Sequence, residues 1–338
     1  MIDKEILYTK EYEFLWNEPK LGDHLILLGL GGSHAYGTNV PTSDVDIRGV
    51  AVNSAESILL GKDFDTFVNS VTDTTVYSLN KMVSLLANCN PNTIEILGLE
   101  LDQILFCTDD GKRLLDNVEI FLSKRCIKTF GGYANQQLYR LNQKTLTVMD
   151  QVEYNDHVAK VLNKIASRFD QLFGITPDQM KARVDEKGSL VLDLNLNGVP
   201  AEQVSAMLSE LNETIRDYTT PSKRNRKAEQ HGKIAKHSMH LLRLYMMCID
   251  ILEKHAVITK RVDEHDLLMS VRNGDFLDEN DRPTKEFFEL VKEYEARWDV
   301  ASKNTTLPDV PDYDAIDHLL RDINYSVVMR GSQLEWFQ

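Results

Sequence analysis

Cysteine is scarce in this sequence, and no two cysteines form a paired motif. The four cysteines are widely separated and include no CxxC pair: Cys89, Cys107, Cys126 and Cys248. Zinc knuckles and disulfide frameworks need regularly spaced cysteines. We therefore expect neither a structural zinc site nor a disulfide, and the pattern is typical of buried thiols in a reducing compartment.

Positive charge and long apolar runs are also lacking. The chain has 38 basic against 52 acidic residues, a net charge of -14, which excludes a protein that coats nucleic acid with its whole surface. A local basic patch stays open. No apolar run approaches the roughly 20 residues that span a bilayer, and charges occur throughout the first segment, which excludes a signal-peptide core. We expect a soluble, cytoplasmic protein with no membrane partner.

The chain is long enough for two domains of different texture. Its 338 residues are 42% apolar. The first part alternates helical periodicity (residues 3–17 and 79–89) with strand patterns (residues 24–30, 44–52 and 65–79), which predicts an α/β or α+β domain over residues 1–110. Residues 111–338 have mainly three- and four-residue apolar spacing, typical of helices. One exception, "SLVLDLNLNG", predicts a short hairpin near residues 189–198 with Asn197-Gly198 as its turn.

Two aspartates stand in the strand pattern "DVDIRGVAV". In a strand, Asp44 and Asp46 share one face while Val45 and Ile47 point to the core. Paired carboxylates repel each other, and divalent cations relieve that repulsion. Mg²⁺ is the expected ion, with Mn²⁺ as the alternative. A solvated edge strand with two surface acids is the competing interpretation.

The preceding segment, "GLGGSHAYG", has glycines where a backbone must approach something closely. Such a loop suits phosphate oxygens, with the hydroxyl of Ser33 and nearby amides as donors. Other glycine motifs are excluded, because His34 stands where the dinucleotide fingerprint needs glycine and no Gly-Lys-Ser/Thr follows. An EF-hand is excluded because Ala55 stands where its bidentate glutamate belongs.

These two features together resemble the GS(x)nDxD signature of the DNA polymerase β nucleotidyltransferase superfamily, more narrowly the RNA-ligase-associated, RNA-repair branch of bacteria and large phages. Two later blocks resemble the same branch, "TDTTVYSLNKMVSLLANCNPNTIEIL" and "EHDLLMSVRNGDF". The matching residues of the first block are Gly32, Ser33, Tyr36, Gly37, Thr38, Ser43, Asp44, Asp46, Arg48, Gly49 and Val50.

The resemblance implies an α+β fold, with a small mixed sheet and flanking helices followed by a mainly helical domain that closes over nucleotide and acceptor. It also implies a bacterial or phage-infected host cytosol. The superfamily uses a third carboxylate, for which Asp73 is the first choice and Asp65 the second, although Asp73 is equally placed to cap a helix beginning near Thr75. The metal and catalytic set is then Asp44, Asp46 and Asp73.

Several further residues are candidates with competing structural roles. Arg48 suits either a triphosphate or a carboxylate partner, Lys81 suits phosphate, Asn90 suits helix termination, and Glu95 suits a structural or an active-site acid. The basic segment 223–243 is either a solvated face or a surface for triphosphate or RNA, with Lys236 and Arg243 as nucleotide ligands. A metal site at His237 and His240, and an HD-phosphohydrolase site at His265-Asp266, are weaker alternatives.

The resulting hypothesis is a two-metal nucleotidyltransferase that moves an NMP from an NTP such as ATP to an acceptor hydroxyl, with an RNA or tRNA end as acceptor. Nucleotidylation of a protein or small molecule is the alternative within enzymes. A non-catalytic nucleotide- or RNA-binding accessory protein is the alternative outside them. The predicted nucleotide-binding residues are Gly32, Ser33, Tyr36, Gly37, Thr38, Ser43, Arg48, Lys81, Lys236 and Arg243.

Overall fold

The structure of the protein is a computed structural model that describes residues 2–146, 155, 159, 162–163, 169, 175–176, 178–219, 233–279 and 281–335. The chain divides into two compact units. Unit 1 comprises Met1–Gln137, Ser238–Phe276 and Thr284–Gln338, and unit 2 comprises Leu138–His237 and Leu277–Pro283. The domain boundary expected at residue 110 does not coincide with a boundary between these units, because two later segments belong to unit 1.

Unit 1 contains a five-stranded mixed sheet. Its strands are β1 (Leu25–Leu30), β2 (Ile47–Ala51), β3 (Thr66–Asn69), β4 (Thr74–Ser78) and β5 (Ile104–Cys107), in the order β3-β4-β2-β1-β5. β2 and β4 are parallel, and the other neighbours are antiparallel. Every residue of β1 is buried, as its continuous apolar run predicts for a strand covered on both faces.

Helices make up most of the remaining described chain, so the predicted α+β class with a mainly helical later part is confirmed. Among the residues described, no helix has the length and apolar character needed to cross a membrane. The α-helices are α1 (Phe14–Asn17), α2 (Gly32–Tyr36), α3 (Ala55–Leu59), α4 (Leu79–Ala87), α5 (Pro91–Ile94), α6 (Asp109–Leu115), α7 (Arg125–Leu146), α8 (Ala201–Thr219), α9 (Lys233–Lys254), α10 (His265–Asn273), α11 (Lys285–Asn304) and α12 (Tyr313–Glu335).

Two predicted elements differ from the observed ones. The opening helix over residues 3–17 is instead two 3₁₀-helices, Lys4–Tyr8 and Lys10–Tyr12, followed by α1. The extended backbone of Thr9 ends the first of them. β2 begins at Ile47 rather than at Asp44, because the parallel pairing with β4 begins with Ile47 and Thr74. The period-two argument for the two aspartates therefore does not apply.

Unit 2 contains a β-hairpin and a helix that share an apolar core. The strands β6 (Met180–Val184) and β7 (Leu190–Leu194) are antiparallel. Their turn uses Gly188, which has a positive φ of 79°, instead of Asn197-Gly198. Met180 and Ala182 of β6 and Met207 and Leu211 of α8 belong to one buried cluster, and the partly buried Leu190 and Leu192 of β7 pack against it.

A buried ion pair joins α9 to the chain that follows it. Arg261 is 2% exposed, and its guanidinium donates to the carboxylate of Asp250 on α9, which is 5% exposed. The backbone N–H of Arg261 donates to the carbonyl of Tyr36 at 3.1 Å. The pair therefore holds the end of α2 in place.

Replacing Asp250 by alanine should destabilise the protein by about 3–5 kcal/mol, because Arg261 would remain buried with only the more distant carboxylate of Glu264, at 4.0 Å, as its counter-charge. Urea unfolding followed by tryptophan fluorescence measures the loss. The matched control is Asp266→Ala, whose carboxylate is exposed, and it should change the free energy of unfolding by less than about 0.5 kcal/mol. Equal effects of the two substitutions would show that the buried pair is not what stabilises this region.

Candidate active site

The glycines after β1 allow a close approach of the backbone to Asp46 and Arg48. Gly32 has a φ of +55°, and a Cβ there would overlap the Asp46 carboxylate. A Cβ on Gly31 would lie 3.0 Å from Cγ of Arg48. The Gly31 amide also donates to the carbonyl of Asp46 at 2.8 Å. Glycine is therefore required on steric grounds where the loop meets the aspartate segment.

The predicted carboxylates lie at one edge of the sheet. Asp46 is half-buried and pairs with Arg48 at 3.8 Å, whereas Asp44 is exposed. The parallel register Ile47↔Thr74 places Asp46 and Asp73 at equivalent positions, each directly before a strand. The carbonyl of Asp73 accepts from the Ile47 amide at 3.3 Å and from Nη1 of Arg48 at 3.0 Å. The backbone of Asp73, the candidate third carboxylate residue, therefore lies next to the DxD segment, which in turn contacts the glycine loop.

The carboxylates of Asp44, Asp46 and Asp73 do not form a compact group, although their backbone segments lie side by side. Asp73 has a φ of 45° and an exposed side chain. Burial, and then the charges of Glu11 and Asp73, raise the pKa of Tyr12. Within the described part of the chain, no group of three or more acidic, histidine or cysteine side chains is arranged to hold a metal. The alternative of a helix cap at Asp73 is wrong, because Thr74–Ser78 is a strand.

A pocket of about 330 Å³ opens beside Gly32, and all of its lining residues belong to unit 1. Arg48, Thr75 and Tyr77 line it from one face of the sheet, where Arg48 and Thr75 are strand partners. Glu95 and Arg243 also line it. The apolar part of the lining consists of Pro91, Phe130, Leu244 and Met247.

Arg243 and Glu95 place a buried basic side chain and a buried acidic side chain in this pocket. The guanidinium of Arg243 lies 3.7 Å above the ring of Tyr36, which is a cation–π contact, and Nη2 is 2.9 Å from Nδ1 of His240. Burial raises the pKa of Glu95, while Arg243 and Arg48 act to lower it. Burial, with Glu95 as the next cause, raises the pKa of Tyr36. An anionic ligand would therefore meet two arginines here, one of them stacked.

Residues 10–162 match the RlaP family, described as an RNA repair pathway DNA polymerase beta family.

The RlaP match confirms the resemblance inferred from the motifs, and it suggests a nucleotidyltransferase-like role. It includes the glycine loop, Asp44, Asp46 and Asp73, whereas Arg243 lies outside it. Neither the search of curated proteins nor the search of solved structures finds a match.

Within the RlaP match, two candidates lie at the opposite edge of the sheet. Nζ of Lys81 pairs with Asp65 at 3.3 Å, and the Asp65 carbonyl accepts from the amide of Ser78, the last residue of β4. Asp73 precedes the first residue of β4. The length of that strand, about 13 Å at roughly 3.3 Å per residue, separates the two groups. The structure thus places neither Lys81 nor Asp65 with the pocket.

Ser33, Thr38 and Ser43, three predicted nucleotide-binding residues within the RlaP match, have contacts that stabilise the fold locally. Thr38 is fully buried, and its amide donates to the carbonyl of Ser33, which is 8% exposed. The Oγ of Ser43 accepts from the Val40 amide at 2.9 Å and from Nη2 of Arg272 at 3.0 Å. Gly37 has a φ of +72° and ends α2. These residues fix the loop that holds the aspartates.

Arg272 contacts Ser43, next to the DxD segment, and sequence reasoning missed it. It lies on α10, in the block "EHDLLMSVRNGDF", whose resemblance to the RNA-repair branch was the available signal. From the sequence, Glu95 suited either a structural or an active-site acid, and the structure places it in the lining of the pocket.

The basic segment 223–243 is only partly described. Residues 223–232 lie outside the described residues, and Lys236, which belongs to unit 2, is exposed. The proposed metal site at His237 and His240 has no supporting group among the described side chains. The side chains of His265 and Asp266 are both largely exposed, 3.3 Å apart.

Proposed function

We propose that this protein is a Mg²⁺-dependent nucleotidyltransferase that transfers an NMP from an NTP to a hydroxyl at an RNA end. The observation that carries this proposal is the close approach of the Gly31-Gly32 backbone to the Asp46 carboxylate, beside a pocket that contains Arg48 and Arg243. This region combines a position where only glycine fits without overlap, a carboxylate of the kind that binds metal ions, and two arginine side chains. Phosphoryl transfer needs this combination of positioning and charge stabilisation.

The donor set fits a magnesium ion. Mg²⁺ prefers carboxylate oxygens and is commonly held by one or two carboxylates together with substrate phosphates and water. Asp44 and Asp46 supply such carboxylates, and Asp73, before the neighbouring strand, is the third ligand that we propose. When bound, the metal supplies charge neutralisation at the phosphates and activation of the acceptor hydroxyl. Mn²⁺ has the same ligand preference.

The protein's own residues would bind and orient the nucleotide. Arg48 and Arg243 line the pocket, and their side chains suit phosphate oxygens because guanidinium donors match phosphate geometry. The apolar lining suits a nucleoside. Because α2 has only five residues, we assign phosphate binding to arginine side chains rather than to the start of that helix.

The family description favours RNA as the acceptor, since it names an RNA repair pathway. A protein or small-molecule acceptor, and a non-catalytic role in nucleotide or RNA binding, are the competing functions. They predict different locations of the transferred label, so one experiment distinguishes them.

The experiment incubates the purified full chain with each NTP, labelled at the α-phosphate, together with Mg²⁺ and total RNA. We expect label on RNA and release of unlabelled pyrophosphate. RNA oxidised with periodate, which destroys the terminal diol, is the matched control and should accept no label. Label on protein alone supports the first alternative, and nucleotide binding without transfer supports the accessory role. A γ-labelled NTP that labels RNA would instead indicate a kinase.

A further inference from the structure

A second pocket, of about 290 Å³, lies in unit 1 at the end of β2 opposite to the aspartates. Val52 and Asn53, which directly follow β2, line this pocket, whereas Asp46 directly precedes that strand. The length of β2, about 13 Å at roughly 3.3 Å per residue, separates the two ends. The described residues that line the second pocket all differ from those that line the pocket beside Gly32. The second pocket therefore has no role in the proposed nucleotidyl transfer.

Three basic side chains line the second pocket: Lys20, His24 and Lys62. Among the residues that the structure describes, none of the three forms an ion pair with a carboxylate, whereas Lys81 pairs with Asp65. The chain has 52 acidic against 38 basic residues, so acidic partners for lysine are plentiful on its surface. Basic side chains that stay unpaired around a concave surface of such a protein suit an anionic ligand.

Backbone hydrogen bonds fix two of these basic residues against the rest of the pocket lining. The carbonyl of His24 accepts from the Val52 amide at 2.8 Å, and the Lys62 amide donates to the carbonyl of Ser57 at 2.8 Å. Oγ of Ser54 donates to Oγ of Ser57 at 3.0 Å. The hydroxyl proton of Ser57 can therefore be donated to an acceptor in the pocket, which Ser57 also lines.

One carboxylate, that of Asp63, also lines the second pocket, but two amide groups hold it. Its Oδ1 accepts from the side-chain amide of Asn53, and its Oδ2 accepts from that of Asn80 at 2.7 Å. Two lysines against this one acid leave the pocket with a positive net charge at neutral pH. Pro19 and Phe64 add apolar surface to the lining. Positive charge beside apolar surface suits a phosphate that is attached to a nucleoside.

We propose that the second pocket binds one nucleotide unit. Lys20, Lys62 and Ser57 donate to its phosphate oxygens, since ammonium and hydroxyl groups form charge-assisted hydrogen bonds with phosphate. Phe64 contacts the base or the ribose, as aromatic side chains do in proteins that bind single strands. The unit is either a free nucleotide or one residue of an RNA strand, because both present the same phosphate and nucleoside. Binding at this pocket does not depend on the proposed nucleotidyl transfer.

Lysine acetylation, measured at each lysine by mass spectrometry, tests whether a ligand occupies this pocket. The full chain is acetylated with AMP, or with a short single-stranded RNA that has no terminal phosphate, in the absence of metal and NTP. At a ligand concentration of about ten times Kd, acetylation of Lys20 and Lys62 should slow by about 10-fold. The exposed Lys128 of α7 should react at an unchanged rate. Protection by AMP supports a free nucleotide as the ligand, and protection by RNA alone supports an RNA strand.

Substitutions in the pocket measure the affinity at this site alone. Lys20→Gln should raise the ligand concentration that protects Lys62 by about 10-fold, the effect of one charge-assisted hydrogen-bonding group. Ser57→Ala should raise it by about 5-fold, as expected for loss of a weaker donor. The matched control, Lys128→Gln, should leave it unchanged.

Binding at the second pocket and nucleotidyl transfer can fail separately. Asp44→Asn should show the same protection of Lys62 as wild type, because Asp44 lies beyond the other end of β2. Protection of Lys20 and Lys62 in a protein that transfers no nucleotide would support the second pocket and refute the transferase. Unchanged acetylation of both lysines in millimolar AMP and in millimolar RNA would overturn the second site. Equal protection of Lys62 in wild type, Lys20→Gln and Ser57→Ala would overturn it as well.

Discussion

Asp44→Asn should slow nucleotide transfer by at least about 100-fold without measurable loss of folding. The side chain of Asp44 is exposed, whereas that of Asp46 is half-buried and pairs with Arg48. A metal ligand contributes several kcal/mol of charge stabilisation to the transition state, and about 1.4 kcal/mol corresponds to a tenfold change in rate. Initial rates at saturating NTP and Mg²⁺, with melting temperatures alongside, measure both expectations.

Asp65→Asn is the matched control for that substitution. Asp65 is also an exposed aspartate of unit 1, but it pairs with Lys81 at the opposite edge of the sheet. The transfer rate of this variant should stay within about twofold of wild type, because Asp65 lies away from the metal carboxylates. Loss of its surface ion pair should lower the free energy of unfolding by at most about 1 kcal/mol. Equal rate losses in the two variants would contradict the placement of the metal carboxylates at the Asp44 edge.

Gly32→Ala should have a comparably large effect for a steric reason. The added Cβ would overlap the Asp46 carboxylate, and alanine at a φ of +55° is strained by about 1–2 kcal/mol. Relieving the overlap must displace either the loop or Asp46, so we expect transfer to fall by about 100-fold, as misplacement of reacting groups by 1 Å does. Steady-state kinetics and thermal melting separate the catalytic from the stability effect.

Gly61→Ala provides the control for backbone strain alone. Gly61 has a similar φ of +63°, and a Cβ there would meet nothing within 4 Å. Both variants should lose similar stability from the left-handed conformation, whereas only Gly32→Ala should lose activity. If Gly61→Ala lowered activity as much, the close approach to Asp46 would not explain the requirement for glycine at position 32.

The elements that local chemistry determines were predictable from the sequence. The apolar run of residues 24–30 predicted β1, because a strand buried on both faces needs apolar side chains throughout. The successive glycines predicted a close backbone approach, and the structure shows that the approaching group is Asp46. The motif resemblance predicted a match to the RNA-repair family, and residues 10–162 provide that match.

Features that depend on distant parts of the chain were not predictable in this way. Arg272 and Ser43 are 229 positions apart, and an arginine in the last turn of a helix is already explained locally by the helix dipole. The sequence predicted the helix of Lys81 and its motif, which made Lys81 a candidate phosphate ligand. It did not show that β4 places Lys81 at the opposite end of the strand from Asp73. Asp44 and Asp46 fit the alternating pattern of a strand in the sequence. In the structure they precede β2, which begins at Ile47, where its pairing with β4 begins.

Transfer of an α-labelled NMP to RNA by wild type and by Asp46→Asn, with and without Mg²⁺, tests the central claim most directly. We predict label on periodate-sensitive RNA ends with wild type and Mg²⁺, and label near background in the other three reactions. Equal labelling by Asp46→Asn, or no labelling of RNA by wild type with any of the NTPs, would contradict nucleotidyl transfer to RNA at this site.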